Sequence, residues 1–141
     1  MSQIIENALA ANLAEWITAN LPETMPNYGE VLVANRDAIR TRPCIVLATA
    51  DPKPVSPLKH TERIRLDVHL FTQIDDTPVA DHNAIASAIE RVLADTAGIR
   101  ADLNSDTFVL HAMLRRDSGT VPDETRGRET TLTYEAVVSA L

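Results

Sequence analysis

Aromatic residues are few: Trp16, two Phe and two Tyr in 141 residues. That scarcity excludes a row of rings on which nucleic-acid bases stack. Cysteine is scarcer, since Cys44 stands alone, which rules out an internal disulfide and any multi-cysteine zinc site. It lies in the apolar run Cys44-Ile45-Val46-Leu47-Ala48, where a thiol reads as a small core hydrophobe and not as a nucleophile. The 4 glycines form no Gly-x-Gly or phosphate-loop arrangement, and Gly-x-Ser-x-Gly is missing. Nucleotide cradling and serine-hydrolase chemistry therefore have no signature here. Cations are outnumbered, 13 Lys and Arg against 20 Asp and Glu, for a net charge of −7. Phosphate neutralisation supplies most nucleic-acid affinity, so this balance argues against a dedicated nucleic-acid binder. No apolar run approaches the ~20 residues of a membrane helix. The opening residues carry Glu6 and no basic stretch, unlike a signal peptide, so a soluble intracellular product is expected.

What is present is periodicity. The length suits one domain spanning 1–141, since a chain of about 150 residues buries roughly 68–70% of its unfolded surface. From about Gln3 to Leu21, Ile5, Leu9, Leu13, Trp16 and Ile17 fall on one helical stripe, with Glu6, Asn12 and Glu15 off it and Pro22 ending the helix. Tyr28–Val33 reads as a short strand. Pro43–Ala50, apolar on both faces and bounded by prolines, reads as a buried central strand. Pro52, Pro54 and Pro57 stiffen Asp51–His60 into an expected extended arm instead of a tight hairpin.

Thr61–Thr72 alternates: Ile64, Leu66, Val68 and Leu70 point one way, Arg63, Arg65, Asp67, His69 and Phe71 the other. Thr77-Pro78 is an expected helix start with Thr77 as N-cap, leading to Ile85, Ile89, Val92 and Leu93 and a stop near Gly98. In Thr107–Leu114, Phe108, Leu110, Ala112 and Leu114 are expected on one side, Val109, His111 and Met113 on the other. A charged loop, Arg115–Glu129, follows. The last strand, Thr130–Val138, turns Leu132, Tyr134, Ala136 and Val138 to the core. The expected fold is α+β in α-β-β-α-β-β order: a mostly antiparallel four- to five-stranded sheet with two helices on one face and arms at about 51–60 and 115–129.

Candidate sites are modest. Asp67 and His69 share a strand face at a chelating spacing, with His111 expected on a neighbouring strand. No His-x-x-x-His or Glu-x-x-His pair supports a metal, and a mixed polar face is the preferred reading. Asp75 and Asp76 precede a helix and read as complements to its dipole. Arg115, Arg116, Arg126 and Arg128 alternate with Asp117, Asp123, Glu124 and Glu129, as in a solvated hairpin arm or one half of a charged subunit interface. The coincidence of length and mixed charge favours the interface. Its expected residues are Arg63, Arg65, Asp67, His69, Arg115, Arg116, Asp123, Glu124, Arg126 and Arg128.

The strings RPCIVLA, RLDVHLFTQIDDTPVADHNAIASAIERVL, LNSDTFVLHAMLRRDS and RGRETTLTYEAVVSAL resemble the tail terminator and tail-completion proteins of long-tailed bacteriophages and prophages. The resemblance runs from about Arg42 onward; Pro22–Arg42, weakly periodic, does not align with it. It implies a non-enzymatic virion protein without cofactor or metal, made in the host bacterial cytoplasm. Such proteins assemble as a ring, usually a hexamer, on the head-proximal end of the tail tube. The ring stops tube polymerisation and offers the head-joining surface, so the implied partners are further copies, the tail-tube protein and the head–tail connector. DNA passes through the lumen unbound, and an acidic chain suits that passage. The alternatives are a head–tail connector or minor virion protein and, in a different class, a small metal- or ligand-binding domain using Asp67, His69 and His111.

Overall fold

The computed structural model describes residues 2–33, 43–49, 53–55, 58–103, 108–122 and 127–140. In chain order the elements are α1 (Ser2–Asn20), β1 (Glu30–Val33), β2 (Cys44–Thr49), β3 (Lys53–Val55), β4 (Leu58–Gln73), α2 (Val79–Ala94), α3 (Thr96–Leu103), β5 (Phe108–Pro122) and β6 (Gly127–Ala140). The main sheet runs β1-β2-β4-β6-β5, and β3 pairs to β4 off that path. All pairings are antiparallel except β1 with β2. The α+β class and element order match the expectation, with α3 as a third helix.

β4 is the spine, paired on one side with β2 and on the other, over Thr61–Gln73, with β6. Its even-numbered apolar residues Ile64, Leu66, Val68 and Leu70 are at most 1% exposed. They form one core with Leu132, Tyr134, Ala136 and Val138 of β6 and with Leu9, Leu13 and Ile17 of α1, Ile85 and Ile89 of α2 and Ile99 of α3. Three helices thus cover one face of the sheet. Trp16 lies at the seam, where its indole N–H donates to the Val92 carbonyl at 3.1 Å and ties α1 to α2.

Alternation in β2 divides its apolar residues between two faces. Ile45 and Leu47 join the main core, while Cys44 and Val46 meet Phe71 on the opposite face in a second small cluster. Gly29, just before β1, has φ +73°, and a Cβ there would run into the Pro43 backbone carbonyl. Gly29→Ala is therefore expected to cost about 1–3 kcal/mol by adding left-handed strain to a backbone clash. Chemical denaturation would check this; an unchanged midpoint would mean that the β1–β2 approach is looser than described.

Several local expectations are corrected. The segment expected as a proline-stiffened arm contains β3, whose Val55 opposes Leu58 at the start of β4, so it folds back as a hairpin. Pro54 is tolerated there because β3 pairs with β4 on one side only among the described strands. The charged loop expected over Arg115–Glu129 is mostly ladder: β5 continues to Pro122, opposite Arg128, and β6 begins at Gly127. Asp123, Glu124 and Arg126 lie outside the described residues, as does 34–42.

Thr77 does not cap α2. Pro78 occupies that position without a side-chain cap, and the Thr77 amide donates instead to the Gln73 carbonyl at 2.9 Å. Gly98 does not stop a helix; it sits inside α3, where its amide donates to Asp95 Oδ1 at 3.0 Å. Asp95 is the cap of that helix, satisfying one of the amides a helix start leaves without a partner.

Candidate interaction surface

The face of the sheet away from the helices divides into a closed end and an open end. At the closed end, Phe71, His69 and Glu129 are 1%, 6% and 3% exposed. His69 stacks on Phe71 with ring centroids 5.9 Å apart, and its Nδ1 lies 3.0 Å from Glu129 Oε2 and 3.0 Å from Thr131 Oγ1. His69, expected on an exposed interface, is instead buried with a partner. A buried carboxylate and imidazole each need such a partner, because an unsatisfied polar group there costs about 1–3 kcal/mol.

The open end is built by register. β4 presents Arg63 and Arg65 opposite Val137 and Glu135 of β6, and Asp67 opposite Thr133. Glu135 gathers two cations, Arg63 Nε at 3.5 Å and Arg116 Nε at 3.1 Å. Asp67 Oδ1 accepts from Thr133 Oγ1 at 2.8 Å and from Arg65 Nε at 3.3 Å. The arginine side chains are 51–61% exposed, whereas both carboxylates are 22% exposed. Acids are recessed and guanidinium groups stand outermost. Exposed pairs of this kind contribute about 0.2–1 kcal/mol each, so the fold does not depend on them.

Two irregularities in β5 decide what else reaches this face. The ladder shifts between Leu110 and Ala112 and again between Arg115 and Asp117. The first shift inverts the expected alternation: Met113 is buried at 8%, and Leu114, opposite Glu135, is 46% exposed. Arg100 of α3 donates to the Leu110 carbonyl at 3.2 Å and to the His111 carbonyl, filling the acceptors the bulge disturbs. The two neighbouring arginines beside the second shift point to opposite sides, as successive strand residues do. Arg116 joins Glu135, while Arg115 Nη1 bonds Glu90 Oε2 of α2 at 3.1 Å on the helix side.

Arg115 there borders a cleft with Glu90, Leu93, Met113 and Tyr134. Burial, reinforced by Glu90 and opposed by Arg115, pushes the Tyr134 phenol up to about 12, so it stays protonated at neutral pH. Arg128 also faces the helices, with Nη1 donating to the Thr77 carbonyl at 2.7 Å. Arg115 and Arg128 therefore stabilise tertiary contacts instead of joining the open face, contrary to the sequence grouping. Leu114 was missed, because no periodic reading announces a bulge; Glu135 follows from the regular alternation of β6.

The Asp67, His69 and His111 set is not assembled. β6 lies between β4 and β5, and His111 Nε2 is 2.7 Å from Ser139 Oγ. Asp67 stands opposite Thr133, six residues along β6 and thus about 20 Å from Ser139. No group of three metal-ligating side chains occurs among the described residues.

These features define an α+β domain with three helices on one face of a mostly antiparallel sheet and a partly charged opposite face. The same fold occurs in a chain of the virion of a native gene transfer agent particle, with a TM-score of 0.61 and 17% identity over 95% of this chain and 93% of that one. No protein-family model and no curated protein sequence matches the chain.

Proposed function

We propose that this chain is a non-enzymatic structural protein of a phage-like virion, and within it the tail terminator. In this reading identical subunits close a hexameric ring on the head-proximal end of the tail tube, stop its growth and present the surface that meets the head–tail connector. The observation that carries the reading is the fold shared over nearly the whole of both chains with a component of a gene transfer agent virion. A fold alone does not assign a function, but the sheet face adds support. It is rich in exposed arginine and carries an exposed Leu114, as suits a subunit contact whose rim charges set register. The overall charge of −7 lets DNA pass a lumen without being held.

The test is location and loss. Particles from a producing strain, separated into heads and tails, should carry the chain at the tail end that meets the head. Deleting its gene should leave tails of uncontrolled length and unjoined heads. Recovery with tail-less heads would make it a connector instead, and normal tail length with normal joining would end the proposal.

A further inference from the structure

Among the described residues the large apolar side chains that stand exposed are Val33, Ile74, Val79 and Leu114, and three of them lie beside concentrations of charge of opposite sign. Leu114, 46% exposed, sits across from Glu135 amid the exposed guanidinium groups of Arg63, Arg65 and Arg116. Ile74 and Val79, 40% and 55% exposed, bracket the turn from β4 into α2, where Asp75 and Asp76 are exposed. One surface is a leucine on a sheet face that also carries three exposed arginines, each paired with a recessed carboxylate. The other is a pair of aliphatic side chains around two aspartates at its end.

We infer that these two surfaces are the two halves of one contact: the Leu114 patch of one copy receives the Ile74–Val79 turn of the next. Apolar side chains would meet at the centre while arginines face aspartates around them, the arrangement of a protein–protein interface with a desolvated core and a charged rim. The occupant is a second copy because the complementary chemistry lies on this chain. The patch and the turn are different surfaces, so the contact is heterologous and propagates head to tail until rotation closes it. This pairing rests on the ring proposed above and names the surfaces that close it. Salt would weaken it by screening the rim charges.

The test combines charge reversal with covalent capture. Arg65→Glu with Arg116→Glu, and separately Asp75→Arg with Asp76→Arg, should each raise the concentration needed for assembly by about tenfold or more. Light scattering would follow assembly, and circular dichroism would verify folding. Mixing the two variants should restore assembly, because each reversed surface then finds its opposite on the other variant. Independently, Leu114→Cys combined with Val79→Cys should oxidise to a ladder of intermolecular disulfides ending in a closed species, since native Cys44 is buried.

A wild-type ring unaffected by either reversal, with no disulfide ladder, overturns this contact and leaves the ring proposal on other surfaces. A wild-type chain that stays monomeric at every concentration, again without a ladder, removes both. Capture of a duplex DNA oligonucleotide through Arg65 and Arg116 without self-association would assign the patch to nucleic acid and also overturn the contact.

Discussion

Leu66→Ala is expected to lower the unfolding free energy by about 2–5 kcal/mol, the range for removing a buried leucine and leaving a cavity. Leu66 is 0% exposed on the strand that holds the sheet together, between Thr49 of β2 and Tyr134 of β6 and in the core that the helices cover. Because β4 is paired on both sides, the surrounding backbone cannot collapse cheaply into the space. In a chain approaching this size the melting temperature falls by about 2–4 °C for each kcal/mol. One residue earlier, Arg65→Ala removes an exposed side chain and should change stability by no more than about 0.5 kcal/mol. Denaturant titration of both variants separates the two faces of β4. Equal losses would mean that the alternation does not divide core from surface.

A second large effect concerns His82, which is wholly buried between α2 and the sheet. Its Nδ1 lies 2.7 Å from Thr72 Oγ1 and its Nε2 2.7 Å from Thr130 Oγ1, so the imidazole joins the first turns of α2 to both β4 and β6. A neutral ring offers one N–H and one lone pair, so one hydroxyl accepts from it and the other donates to it. His82→Ala would take one hydrogen-bond partner from each hydroxyl and open a cavity, at a cost of about 3 kcal/mol or more.

The ring also makes stability depend on pH. Desolvation, with the Arg128 cation adding to it, holds the His82 pKa below its ordinary value of 6.5. The unfolded chain thus binds the proton more readily than the folded one, and stability rises with pH where the two differ. The contribution is complete above about pH 6.5 and is lost as pH falls toward the folded pKa, with a slope of up to about 1.4 kcal/mol per pH unit. Stability measured between about pH 7 and pH 5.5 should fall more steeply for the wild type than for His82→Gln. Parallel curves would show that other groups govern the acid limb.

Long regular elements were legible because their periodicity directly reflects burial. Leu9, Leu13 and Ile17 mark the inner stripe of α1, and the alternations from Ile64 to Leu70 and from Leu132 to Val138 mark the two central strands. Residues whose role depends on an interruption were not legible. Met113 and Leu114 exchanged faces because the ladder slips by a residue at His111, a shift that leaves no trace in composition. Gly98, a plausible helix terminus, lies within α3 because Asp95 caps a new helix at once. The residues grouped as an interface are divided between different surfaces by the fold. Arg115 and Arg116, neighbours in the chain, take opposite sides of β5, and His69 shares a strand face with exposed Arg63 and Arg65 yet is enclosed with Phe71 and Glu129.

The sequence by itself determined the class of the fold, the inner faces of α1, β4 and β6 and the lack of any catalytic signature. Each of these follows from residue type and spacing along one strand or helix. Tertiary structure alone decided which charges share a surface. It recessed Glu135 and Asp67 beneath exposed guanidinium groups, turned Arg115 and Arg128 toward the helices, and exposed Leu114. Those outcomes depend on strand register and on two bulges, which are fixed by packing between segments distant in the chain.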